Sequence, residues 1–239
     1  MDLSLKSIQE GTVLVVDKPL EWSSFDVVNK IRNTIRNTHR IKKIKVGHAG
    51  TLDPMATGVL VVCTGKKTKE IQFIQDGRKE YLATLKLGAT TPSYDTETEE
   101  DQTFPIEHIT REKIEKTLHG FKGEIDQYPP IFSAIRKDGK RLYEFARKGE
   151  EVEIEPRKVT IDTISVEEWE GERLVLRVQC GKGTYIRSLA HDIGKALGSG
   201  AYLTALQRTA VGDYSIDEAW QMQDLVDAIR SSGEPPIEL

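Results

Sequence analysis

The stretch "GHAGTLDPMATGVLVVCTG", residues 47–65, changes character halfway along. Up to Gly58 it holds three glycines, two threonines, one histidine and an Asp-Pro step, with neither helical nor strand period. Beyond that point "GVLVVCTG" is continuously apolar and of strand length, the pattern of a strand covered on both faces. The loop carries one carboxylate. A residue before proline is pushed out of the α region, so Pro54 holds Asp53 extended, while Gly47, Gly50 and Gly58 let a second backbone or a ligand approach. Asp53 is therefore either presented in a fixed pose or tied to its own turn.

Outward from this loop, strands and helices alternate. Upstream, "GTVLVVDKP" is a β-rich run ended by Pro19, and Ser23 or Ser24 caps a helix whose Val27, Val28, Ile31 and Ile35 share one face. Downstream, "KTKEIQFIQDG" reads as a short helix closed by Gly77, and "KEYLATLKLG" as an alternating strand carrying Tyr81. Ala89 to Pro105 is polar and acidic, a surface loop, and Thr110 caps a helix ending near Gly120. From Lys122 to Gly149, a Pro-Pro step, a "KDGK" hairpin signal and a short helix with Gly149 at its C-terminal cap predict a basic insertion outside the core. Strands follow at "RKVTIDTISVEEWE" and "ERLVLRVQC". Ile186, Leu189, Ile193 and Leu197 then form a helical stripe ending at Gly198, and a last helix follows Asp217. Hairpin-like pairs rather than strict βαβ units predict an α+β domain, a mixed and mostly antiparallel sheet flanked by helices.

At 239 residues and 38% hydrophobic content the chain can bury a substantial core. No run approaches the roughly 18 apolar residues of a membrane span, and the N-terminus lacks the order of a signal peptide, so a cytoplasmic protein without membrane contact is expected. Cys63 and Cys180 lie in strand-like apolar runs and read as small buried hydrophobes. The net charge of −4 conceals segregation: Lys30 to Lys45 holds seven Lys or Arg and no acid, and Arg136 to Lys148 six against two. "DTETEED" (Asp95 to Asp101) and "EEVEIE" (Glu150 to Glu155) compensate, leaving two local positive surfaces suited to phosphates. Phosphate-loop, kinase, dinucleotide and "GxSxG" fingerprints are missing, and the five histidines include no metal-ligand pair, so neither cofactor nor metal is expected.

A second charge stands out in "CGKGTYIRS". A helix beginning near Thr184 after two glycines offers backbone N–H groups to an anion. Arg187 falls in its first turn, where a cation is unfavourable by about 0.3–1 kcal/mol, so helix stability does not explain it. Either it lies on the surface of an amphipathic helix, or it answers an anion. That anion is a phosphate or Asp53, whose carboxylate such a pair would keep charged and aimed.

The segments "VVDKP", "GHAGTLDPMATGVLVVCTGKKTK", "KEYLATLKLG", "YPPIFSAIRKDGKRLYEFARKG", "CGKGTYIRSLAHDIG" and "AYLTALQRTAVGDY" resemble, in order, the motifs of TruB-type tRNA pseudouridine synthases, over Gly11 to about Tyr214. The resemblance implies the pseudouridine synthase fold and conversion of uridine 55 in the tRNA T-loop to pseudouridine by base flipping, without cofactor or metal. On the matching positions, Asp53 resembles the catalytic aspartate, Tyr81 the tyrosine that stacks on the target base, and Arg187 the arginine paired with the aspartate. His48 is similar to the histidine that fills space beside the flipped nucleotide, and Tyr185 and Leu206 to residues lining the base pocket. Lys18 and Pro19 look structural, bracing the loop.

The resemblance further implies one catalytic domain over residues 1–239, with a basic thumb insertion at about 123–151 gripping the T-arm and a C-terminal helical tail at about 215–239. Family members commonly continue into a small RNA-binding PUA domain, which is not expected here. No protein partner is implied, and a monomer is expected. Departures from the family pattern are Glu21 for glycine, Ser23 for threonine, Gly181 for serine and Arg136 for lysine. Two rivals share the motifs: the guide-RNA-dependent branch of the same catalytic core, and a tRNA-binding or folding factor without catalysis. Glycoside hydrolysis would need two flanking carboxylates, and one presents itself.

Overall fold

The computed structural model describes residues 1–133, 135–137, 139–150 and 152–233. Positions 134, 138 and 151 of the expected thumb insertion, and residues 234–239 of the expected helical tail, lie outside the described residues. The chain forms two compact units, Met1–Lys79 with Gln207–Leu239, and Glu80–Leu206.

The first unit opens with α1 (Leu5–Glu10), β1 (Val13–Lys18), α2 (Ser24–Thr38), β2 (Val46–His48), β3 (Ala56–Thr64) and α3 (Ile71–Asp76). The apolar pattern did not predict α1, which buries Ile8 alone within its bounds and is too short to show a period. Strands β1 and β3 pair antiparallel from Val13↔Cys63 to Lys18↔Gly58, and β2 pairs antiparallel with β3 at His48↔Val62. From Val59 to Cys63 strand β3 is continuously apolar because both its faces are covered. Leu60 and Val62 pack with Val27 and Ile31 of α2, while Val59, Val61 and Cys63 pack with Ile74 of α3. Each such fully buried aliphatic side chain contributes about 1.5–3 kcal/mol. The predicted face of α2 is buried at Val27, Val28, Ile31 and Ile35, and Ser23 caps it in a reciprocal box with Asp26. Neither cysteine is in a disulfide and both are buried, and burial pushes the Cys63 thiol up to about 11.

The second unit carries β4 (Lys79–Leu87), β5 (Ala89–Thr90), β6 (Gln102–Thr103), α4 (Arg111–His119), β7 (Gly123–Gln127), β8 (Arg136–Lys137), β9 (Lys140–Arg141), α5 (Leu142–Ala146), β10 (Arg157–Glu170), β11 (Arg173–Cys180), α6 (Ile186–Ala196) and β12 (Ala201–Val211). Lys79 at one end and Gln207 onward at the other belong to the first unit. The strand order is β12, β4, β11, β10, β7, with β10 antiparallel to both β11 and β7. Alternate residues of β4 are buried, as its sequence predicts. Two expectations need correction. The insertion contributes to the sheet, because its first residues, Gly123–Gln127, form the strand beside β10. The polar segment after Ala89 is not wholly a surface loop: β5 and β6 pair, and Thr91, Ser93 and Asp95 are buried. Hydrophobicity was silent there because the buried side chains are polar and satisfied by hydrogen bonds.

Back in the first unit follow β13 (Tyr214–Ser215), β14 (Trp220–Gln221) and α7 (Met222–Ser231). Strand β14 pairs parallel with β1, so the sheet is mixed, and α7 buries Leu225, Val226 and Ile229 in the cluster that holds α2. Among the described residues no helix is long and apolar enough to cross a membrane.

Candidate active site

His48 and Asp53 lie in the first unit, and Tyr81, Tyr185, Arg187 and Leu206 in the second. The loop around Asp53 is held from several sides. The Asp53 carbonyl accepts from Ala56 N at 3.0 Å, and Leu52 N donates to Ser24 Oγ at 2.9 Å. Pro54 O accepts from Glu21 N at 2.8 Å and from Lys18 Nζ at 3.3 Å. Lys18 is fully buried, and its ammonium also donates to the carbonyls of Pro19 and Trp22 at 2.8 and 2.5 Å, which makes it the brace its sequence position suggested. Burial pulls Lys18 down to about 8, against the opposing pull of Asp53 and Asp17. Glu21, where the family usually has glycine, adopts φ +67, so a side chain occupies a left-handed turn.

Gly58 shows why the loop ends in glycine. Its φ is +100, and a Cβ there would stand 2.2 Å from the Arg208 carbonyl oxygen, while its N–H donates to Asp17 Oδ1 at 3.0 Å. On the other flank of the loop, burial pushes His48 below the usual imidazole range, leaving a neutral ring at neutral pH.

In the second unit, α6 begins at Ile186 with Tyr185 as N-cap, two residues later than the glycines suggested. The Tyr185 N–H donates to Gln127 Oε1 at 2.8 Å and Gln127 Nε2 donates back to Tyr185 O at 3.1 Å, so this N–H is committed rather than open to an anion. Arg187 is 5% exposed, which excludes a surface arginine. Its Nη1 lies 3.3 Å from Asp95 Oδ2, and Nη2 donates to Phe132 O at 3.0 Å. Asp95 is itself positioned: Oδ1 accepts from Glu97 N at 2.9 Å, and Thr91 Oγ1 donates to the Asp95 carbonyl at 2.7 Å. The preceding residue, Tyr94, has φ +63 and stacks on His191 with centroids 4.0 Å apart. Tyr81 is buried on β4, and Leu206 lies part-buried on β12, the strand next to β4.

Sequence reasoning missed Asp95, Gln127 and Arg208. In sequence Asp95 is one of five acids in a polar segment that reads as a surface loop. No period could have marked it, because residues 91–94 form a turn, with Tyr94 N donating to Thr91 O at 3.1 Å, and its buried side chains are polar.

In the insertion, Arg136, Lys140, Arg141, Arg147 and Lys148 are exposed. Tyr143 carries Arg141 and Arg147 over its ring at 5.8 and 5.3 Å, and Phe145 carries Lys140 at 5.5 Å. Cations held on aromatic faces beside open surface suit a phosphate backbone.

Over 95% of its length the chain is similar, at a TM-score of 0.70 and 32% identity, to a chain in the crystal structure of a Cbf5-Nop10-Gar1 complex, of which it spans 60%. It is also similar, at 0.66 and 32%, to a chain in the structure of an H/ACA RNP bound to a substrate RNA containing 2'-deoxyuridine, of which it spans 53%. Fold and braced carboxylate loop together define a class, the pseudouridine synthase fold. Residues 36–186 match the TruB family pseudouridylate synthase (N terminal domain), and residues 187–235 the tRNA pseudouridylate synthase B C-terminal domain. The chain belongs to the TruB family. Relatives named tRNA pseudouridine synthase B include one from Phocaeicola vulgatus, 56% identical over 217 residues (91% of this chain, 92% of that one), and one from Flavobacterium johnsoniae, 58% identical over 211 residues (88% and 92%).

Proposed function

We propose that this chain isomerises uridine to pseudouridine in tRNA, at position 55 of the T-loop. In the reaction the N1–C1′ bond breaks, C1′ joins C5 of the same base, C5 loses its proton and N1 gains one. Atoms and electrons balance without redox chemistry or an outside energy source. The task is to place one carboxylate, exclude water and retain the detached base. The observation that carries the reading is the Asp53 loop, with its backbone held through Lys18, Ser24 and Glu21 and its one carboxylate at the Asp-Pro step.

Asp53 starts the cleavage, Tyr81 stacks on the base, and Arg187 takes the role of the arginine that the family resemblance assigns to the aspartate. His48, Tyr185 and Leu206 contact the flipped nucleoside, whose extrusion costs a few kcal/mol. The catalytic domain includes the thumb at about 123–151, which grips the T-arm. The protein acts as a cytoplasmic monomer. Release of tritium from C5-labelled uridine in a T-arm transcript, without guide RNA or metal, tests the reading. Wild-type protein should release it, and Asp53→Asn should bind the transcript yet release none. A wild type that stays silent until a guide RNA is added would hand the reading to the guide-dependent branch.

A further inference from the structure

We propose that Arg208 is a positioning residue for the Asp53 loop, acting through the backbone of residues 50 and 51. The inference rests on Asp53 being the reacting carboxylate. Arg208 is 1% exposed on the part of β12 that belongs to the first unit. Its guanidinium donates to Val59 O at 2.8 Å, Gly50 O at 3.1 Å and Thr51 O at 3.4 Å. Two of these carbonyls stand just before Asp53. The third belongs to Val59 on β3, the strand that follows the loop.

Among the described residues no carboxylate pairs with Arg208. A buried cation without an ion-pair partner is costly to desolvate, so space-filling alone does not explain it. What the guanidinium alone supplies is a rigid planar fork with donors in several directions, matched to carbonyls on two segments at once. Lysine, a point charge on a flexible stem, holds fewer of them in register.

The opposite side of the loop is held by Lys18 through Pro54 O, so Asp53 sits between two backbone anchors, each a buried cation. The Lys18 ammonium feels Asp53 and Arg208 with opposite signs, which puts the three charges in one neighbourhood. Close approach is built in as well, because the Gly58 Cα faces the Arg208 backbone with no room for a Cβ.

The test compares wild type, Arg208→Lys and Arg208→Met in single-turnover tritium release and in T-arm binding, with folding at the assay temperature checked by denaturant titration. Misplacing a reacting group by about 1 Å costs on the order of 100-fold, so Arg208→Met should lose about 100-fold in kcat, with Arg208→Lys recovering part of it. The T-arm Kd should stay within about threefold, a change of under 1 kcal/mol. Folded Arg208→Met with wild-type kcat would overturn the inference. So would equal losses in kcat and affinity, or failure of both variants to fold, either of which makes Arg208 a core residue only. Wild-type inactivity in the same assay would instead strike the proposed function.

Discussion

Asp95 and Arg187 show how a single residue's environment outweighs its neighbours in sequence. Asp95 opens an acidic run, yet it is buried, and the Arg187 guanidinium lies 3.3 Å away. In a low-dielectric setting a charged hydrogen bond contributes more than its exposed counterpart, so removing the charge has a measurable cost. Asp95→Asn keeps the shape and deletes the charge. It should lower unfolding free energy by about 1.5–3 kcal/mol in urea titration and reduce tritium release with it. Glu99→Gln, at an exposed member of the run, should be near neutral. Equal effects at the two positions would refute the buried-pair reading.

At the scale of elements, α6 combines a predicted stripe with an unpredicted set of polar constraints. Ile186, Leu189 and Ile193 are buried as the period requires. Its first turn is tied to the insertion by Gln127 and by Ser188 Oγ, which donates to Tyr128 O at 2.7 Å. Further along, burial raises the Asp192 carboxyl from 3.8 to about 6. The native state therefore binds more protons than the unfolded chain between these values. The favourable contribution is full below about pH 4 and is lost as pH rises through 6, where a half-buried carboxylate must be carried as an ion. Asp192→Asn should raise Tm by a few degrees at pH 7.5 and leave it nearly unchanged at pH 3.5, read by calorimetry at both values. A Tm gain of the same size at both would remove burial of the charge as its cause.

For the whole molecule, net charge is a poor guide to partner choice. The chain carries −4 overall, yet between Arg136 and Lys148 the described residues expose five cations, three of them over aromatic rings. If these meet phosphates, the pair Lys140→Gln and Arg141→Gln should weaken T-arm binding and flatten its salt dependence by about 0.7–0.9 in log–log slope per charge removed. An unchanged slope would detach the insertion from RNA binding. How much of this was legible beforehand follows the kind of signal involved. Period-2 and period-3.6 apolar patterns are local, so β3, β4 and the faces of α2 and α6 could be read directly, and the Asp-Pro step between glycines marked Asp53. The resemblance of six ordered motifs carried the family, because such motifs are one-dimensional. What needed the tertiary structure was every partnership between polar groups distant in sequence: Arg187 with Asp95, Gln127 with the backbone of Tyr185, Arg208 with the carbonyls before Asp53. Burial of a polar side chain leaves no apolar period, and its satisfaction depends on which carbonyl or carboxylate the folded chain brings within about 3 Å.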